Sequence, residues 1–275
     1  MTVVLTVKIH DGVVLASDSA TSLYDESASI INVYNTANKI FNLYKGLPIA
    51  GMTWGGGSIG HASISTLSKD LRSRLMGDDH DWQVDKKSYT MFDIANKVKQ
   101  FFFEEHYVAQ AQKQSPFIGY RIAGYSAGAP LPEVYDLAFT AQGCEGPKLL
   151  RAQEDVGINW AGQAEGIQRL VLGFGSSTPA ALLESGLDSD RIQQALAVLR
   201  KHNELPLAFP PMPIQDAIAL AEFLVQVQIA LSRFAIGPPI VGGPIEVAAV
   251  TKHEGFKWVQ RKHYYSAELN PGDKS

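Results

Sequence analysis

Apolar and polar positions along this chain fall into blocks of two different periods. Thr2–Ile9 is rich in β-branched residues, His10-Asp11-Gly12 is a turn signal, and Val13–Ala16 resumes the apolar run, which predicts two joined strands. A polar stretch from Ser17 to Asn38 follows. Lys39–Leu43 and Leu47–Thr53 then predict a second strand pair. After Trp54-Gly55-Gly56-Gly57-Ser58 the period changes, and Ile59, Ile64, Leu67, Leu71 and Leu75 are spaced for one buried helical face. Met91, Ile94, Ala95, Val98, Phe101 and Phe102 predict a second helix beyond the loop Gly77–Lys87. Strands are expected over Phe117–Ala127, Glu133–Thr140 and Leu149–Gln153, and a helix near Gln163 carrying Ile167, Leu170 and Val171. Ser176–His202 predicts one or two helices, followed by a proline-rich connection, Asn203–Pro213. The helix expected from about Ile214 to Phe234 is apolar around most of its circumference, which predicts burial between layers. The irregular segment Gly237–Gly243 leads to closing strands Ile245–Thr251 and Phe256–Lys262.

Runs of strands separated by pairs of helices point to packed sheets with helices outside, an α+β chain and not an alternating βαβ wind. With no repeat or low-complexity tract, one domain over 1–275 is the simplest organisation. Within it, a helical insertion spans about 176–213, and a polar tail, 268–275, is expected to fray.

Composition narrows the function classes. The 275 residues are 45% hydrophobic, enough for a large core. Net charge is −4 and the pI is near 6.0, so electrostatics favours neither nucleic acid nor an anionic membrane. No basic, apolar leader is visible, and no uninterrupted apolar run reaches the ~18 residues of a membrane span. Cys144, the single cysteine, excludes an intrachain disulfide framework and fits a reducing cytoplasm; in Gly143-Cys144-Glu145-Gly146 it reads as a turn residue. The seven histidines show no H-x-x-x-H or H-x-H pairing, so neither a metal nor another cofactor is implied. The chain also lacks the G-x-S-x-G elbow, and Gly55-Gly56-Gly57-Ser58 is not followed by the Lys-[Ser/Thr] of a phosphate-binding loop.

The candidate chemistry lies at the start. Met1 precedes the small residue Thr2, an arrangement that methionine aminopeptidases trim. A trimmed chain would carry a hydroxyl and a free α-amine on one residue. An α-amine has a reference pKa of about 7.7–8.0, suited to accepting the hydroxyl proton near neutrality.

Four blocks in order then resemble the proteasome β-type subunits, members of the N-terminal nucleophile hydrolases. They are Thr2 to Asp18 with its Lys-Ile-His-Asp-Gly-Val-Val-Leu-Ala-Ser-Asp core, Asn38-Lys39-Ile40-Phe41, Trp54-Gly55-Gly56-Gly57, and Gly242-Gly243-Pro-Ile-Glu-Val-Ala-Ala-Val-Thr251. The resemblance implies a four-layer αββα sandwich assembled as a homo-oligomeric double ring, with active sites on an inner chamber. Its substrates would be peptides or unfolded protein, and an unfoldase partner is conceivable. It places the catalytic threonine on Thr2, the buried aspartate on Asp18, the lysine on Lys39 and the oxyanion-hole glycine on Gly55; Thr21 falls at a substrate-contacting position.

These positions make physical sense together. Lys39 beside the hydroxyl and amine would favour the neutral amine and a developing alkoxide, and Asp18 would hold Lys39 charged. A Gly55 N–H would stabilise the tetrahedral oxyanion, a donor whose loss typically costs about 10²–10³ in rate.

The polar surroundings depart from the family. Ala161, in Trp160-Ala161-Gly162-Gln163, replaces a hydroxyl; Pro238 and Val241 replace an aspartate and a serine; no arginine follows Asp18-Ser19. Three readings follow. One is a threonine peptidase whose missing polar groups are supplied elsewhere, with Gln163 and Ser126 as candidates. Another is an amidase or transpeptidase on the same fold. The last is a ring-forming subunit with a vestigial site.

Overall fold

The computed structural model describes residues 2–25, 27, 29–110 and 116–262; Met1 and the tail 268–275 lie outside them. The two opening runs form β1 (Val3–Ile9) and β2 (Gly12–Ser17), joined at the expected turn. The polar stretch after them contains an unexpected hairpin, β3 (Thr21–Tyr24) and β4 (Ile30–Tyr34). Its apolar residues Leu23, Tyr24, Ile31 and Tyr34 are exposed, so no buried-face alternation announces it.

The second pair is β5 (Ile40–Asn42) and β6 (Ile49–Gly55). Helix α1 does not follow the glycines directly. A small hairpin, β7 (Ser58–Ile59) with β8 (Ala62–Ser63), intervenes. Helix α1 (Ile64–Met76) begins after Ser63, whose Oγ accepts from Thr66 N and satisfies a first-turn donor. Helix α2 (Met91–Val98) carries a Thr90–Asp93 capping box and runs on into a π-helical stretch, Lys99–Tyr107.

The middle strands are β9 (Ile118–Gly124), β10 (Glu133–Thr140), β11 (Gly143–Arg151) and β12 (Gly157–Gly162). Strand β12 was not evident in the sequence. As an edge strand it is only half-buried, without the alternation that marks a one-faced core strand. The helices α3 (Glu165–Leu172), α4 (Thr178–Glu184), α5 (Ser189–Asn203) and α6 (Ile214–Phe234) follow, then β13 (Glu246–Thr251) and β14 (Gly255–Gln260).

The strands form two antiparallel five-stranded sheets, ordered β12-β1-β2-β13-β14 and β11-β10-β9-β6-β5. Three apolar clusters account for the packing. Val4, Val13, Leu15 and Val250 of the first sheet meet Ile40, Met52, Ala123 and Val134 of the second. On its other face the first sheet packs against α3 and α6, and the second against α1, α2 and the π-helical stretch.

Helix α6 corrects one expectation. It seats Ala217, Ala221, Leu224 and Val225 on the sheet, yet leaves Phe223, Leu231 and Phe234 exposed, so it is covered on one face and not enclosed. Among the described residues it is the one helix long and apolar enough to cross a membrane; its buried stripe is that of a core helix.

Polar contacts also cross between the sheets, and the most buried cation among them is an arginine. Arg121 of β9, 2% exposed, donates to both carboxylate oxygens of Asp136 at 2.6 and 2.8 Å, and to Thr6 Oγ1 and Asn159 O of the opposite sheet at 3.1 Å each. A planar guanidinium supplies this fork and its side donors at once. Arg121→Leu removes the cross-sheet donors and leaves Asp136 unpaired. It should lower unfolding free energy by about 3 kcal/mol, read as an earlier urea midpoint with unchanged slope.

Candidate functional site

Strand β1 brings Thr2 to the end of the first sheet. Its carbonyl accepts from Gln163 N at 2.7 Å, which ties it to the residue following β12. The approach is close: a Cβ on Gly162 would lie 2.0 Å from Thr2 O, and Gly162 sits at φ +79°. Only glycine lets β12 turn away here.

Strand β2 ends at Ser17, so Asp18 emerges beside the start of β1. It is fully buried, and its carboxylate is met by donors from separate parts of the chain. Oδ1 accepts from Val3 N at 3.0 Å and Lys39 Nζ at 2.5 Å; Oδ2 accepts from Ala20 N at 3.1 Å and Gly242 N at 3.0 Å. A buried carboxylate is tolerated when it is supplied with donors in this way.

Lys39 immediately precedes β5, at the edge of the second sheet. It is 4% exposed, and its Nζ also donates to Ala20 O at 2.6 Å. Burial pushes its pKa down to about 8, with the Asp18 carboxylate opposing that shift and the nearby Lys262 adding to it. At neutral pH the ammonium therefore keeps most of its proton, close to the point of losing it.

Gly55 closes β6 with φ +88°, a left-handed backbone, and a Cβ there would lie 2.4 Å from Phe117 O. Gly56 N donates to that same carbonyl at 2.8 Å, which pins the turn against the chain entering β9. Thr2, Thr21, Lys39 and Gly55 all line one cleft of about 440 Å³, and Asp18 lies beneath it, joined through Lys39. The five residues expected from the sequence thus converge, although Thr2 and Gly55 come from opposite sheets.

The polar support comes from an unexpected quarter. Ser126 is not at the site: its Oγ donates to Glu133 and accepts from Met91 N at the start of α2. Gln163 meets the site through its backbone N–H, which donates to Thr2 O. Val241, where the resemblance led to an expected polar group, is buried in the α6 core, and the neighbouring Gly242 N–H reaches Asp18.

Behind Asp18 sits Lys262, beyond β14. Its Nζ donates to Ser19 Oγ and Ala37 O, each at 2.8 Å, and lies 2.9 Å from Glu246 Oε2. At that distance the ammonium and the buried Glu246 carboxylate form an ion pair. Ser19 Oγ in turn donates to Pro244 O at 2.7 Å. Burial lowers the Lys262 pKa, with the Glu246 carboxylate opposing that shift. Sequence reading missed both residues. A glutamate inside the apolar run Ile245–Thr251 was the available signal, since a carboxylate there needs a buried partner.

With the geometry established, comparison with known proteins places the architecture. No family model and no curated protein matches this sequence. Solved structures do. The Anbu protein of Hyphomicrobium sp. strain MC1 superposes with a TM-score of 0.55 at 12% identity, covering 94% of this chain and 86% of that one. The Anbu of Pseudomonas aeruginosa, described as a helical assembly, gives 0.52 at 14% identity with 97% and 90% covered. That of Yersinia bercovieri, described as an ancestral beta-subunit, gives 0.51 at 12% with 96% and 89% covered. In fold, this chain is similar to Anbu. At 12–14% identity the likeness is one of architecture alone. It does not extend to chemistry at this identity.

The second ion pair has a measurable consequence. Lys262→Met strands a buried Glu246 and should cost about 3–5 kcal/mol in urea unfolding. The double variant Lys262→Met/Glu246→Gln should recover a good part of that loss; equal destabilisation in both proteins would show that the pair itself does not matter.

Proposed function

We propose that this chain is a proteasome-like N-terminal nucleophile hydrolase, a four-layer αββα sandwich that cleaves peptide bonds with Thr2 as nucleophile. The observation that carries this reading is the meeting of Thr2, Lys39 and Gly55 on one cleft above a buried, fully donated Asp18. The three apolar clusters between helices and sheets support the layering.

In this mechanism Met1 is first removed. The freed Thr2 amine takes the hydroxyl proton as Oγ attacks the substrate carbonyl. The tetrahedral oxyanion is held by a backbone N–H at the Gly55 turn, and the Lys39 ammonium stabilises charge at the nucleophile. The amine returns its proton to the leaving amino group, which leaves an acyl ester on Thr2. Water, deprotonated by the same amine, releases the acid and restores the hydroxyl. Asp18 keeps Lys39 in place and charged, while Lys262 and the Gly242 N–H provide the support that Ala161, Pro238 and Val241 lack.

Self-association accompanies this reading, as a closed ring or as a helical array of the kind described for the Pseudomonas aeruginosa protein. We place the protein in the cytoplasm, acting on peptides or unfolded chains with or without an unfoldase.

Intact mass of the purified protein should show Met1 absent. An electrophilic probe should add one equivalent to Thr2, and Thr2→Ala should lose turnover and labelling while keeping its unfolding midpoint. Retained Met1 in active protein, or undiminished turnover in Thr2→Ala, would rule the mechanism out.

The pH profile follows from the two ionisations. Rate should rise as the α-amine deprotonates, with an ordinary value of about 7.7–8.0, and fall as Lys39 loses its proton through about 8. The kcat/KM profile of the trimmed enzyme should therefore be narrow and peak close to pH 8; a plateau extending to pH 10 would exclude a required Lys39 ammonium.

A further inference from the structure

Beside the Thr2 cleft lies a second cavity of about 200 Å³, walled by α1, β5 and Trp258 of β14. Asn38, Ser65 and Lys69 belong to the walls of both cavities. On α1, Ser65, Ser68, Lys69 and Arg72 recur at three- and four-residue spacing, so one stripe of the helix faces this space. With Lys45 and Arg261 on the remaining wall, four cations surround it.

None of those four cations is in an ion pair among the described residues. Weaker contacts hold two of them. Arg72 Nη1 donates to Asn42 O at 3.5 Å, the outer limit of a hydrogen bond, and the Arg261 guanidinium lies 4.8 Å from the Trp258 ring centroid. Glu246 also reaches this wall, but Lys262 already compensates it at 2.9 Å. The chain as a whole carries 28 acidic residues against 24 basic ones, so four uncompensated cations on one concave wall run against its composition. Concave, low-dielectric walls of one sign focus the field inward.

We propose that this cavity binds a phosphate group, either the free ion or the terminal group of a small phosphate ester. Arg72 and Arg261 offer planar donor forks, Lys45 and Lys69 add point charges, and Asn38 and Ser65 supply neutral donors. The space is roughly six or seven times the ~30 Å³ share of one water, enough for a phosphate with a few waters and too small for a peptide. The shared wall places the bound charge next to the Thr2 cleft, yet binding does not depend on Thr2 being a nucleophile.

Isothermal titration of the full-length protein with inorganic phosphate, against sodium chloride at matched ionic strength, should show saturable binding at one site per chain. Arg72→Gln/Arg261→Gln should weaken it at least about tenfold. The exposed pair Lys45→Gln/Lys69→Gln, which leaves the buried face of α1 untouched, should weaken it in the same direction. Tighter binding of glycerol phosphate than of inorganic phosphate would identify an ester as the ligand, and the reverse order the free ion. Heats indistinguishable from matched salt, or binding undiminished in both paired variants, would overturn the proposal.

Discussion

The site hangs on the buried contact between Asp18 and Lys39. Taking one carboxylate and one ammonium out of water costs several kcal/mol per ion before their attraction is counted. The fold offsets that cost by directing donors at Asp18 from near and far in the chain: Ala20 two residues on, Val3 at the head of β1, Lys39 at the entry to β5, and Gly242 before β13. Each donor is also a positional constraint. With all four made, the start of β1 lies at a set distance from the edge of the opposite sheet. Thr2 is one residue before β1, so the same contact places it.

Around this centre the structure repeats one device, the buried cation bridging separate elements. Arg121, braced by Asp136 in its own sheet, joins the sheets through Thr6 and Asn159, and Lys262 joins Glu246 to Ser19 and Ala37. Apolar contacts between flat sheet faces are non-directional and tolerate sliding. Charge-assisted hydrogen bonds do not, because their geometry fails over fractions of an ångström. The apolar clusters thus supply most of the burial, while the bridges set the register between layers.

Much of the architecture was legible in the order of residues. The opening strands, α1, α2, α6 and the closing strands each carry a period that survives without knowledge of what they pack against. The misses share a cause. The β3–β4 hairpin points its apolar residues outward, and β12 is an edge strand only half-buried, so neither shows a one-sided pattern. The surroundings of α6 were misjudged because an apolar composition cannot tell an enclosed helix from one whose exposed side is also apolar. At the site, Ala161, Pro238 and Val241 pointed to a loss of polar support. A list of side chains cannot show that the Gly242 backbone N–H reaches Asp18 or that a distant lysine reaches Ser19.

By itself, the sequence determined the alternation of strands and helices, and it placed a small residue, Thr2, directly behind Met1 with Asp18, Lys39 and Gly55 in order. These are local facts, written in spacing and residue type. Tertiary structure alone decided what surrounds them. Lys262 reaches Ser19 across 243 positions and Gly242 reaches Asp18 across 224. Contacts at such separations leave no period in the chain, because they arise only when two sheets have packed and buried charges must find whatever partner the packing brings near.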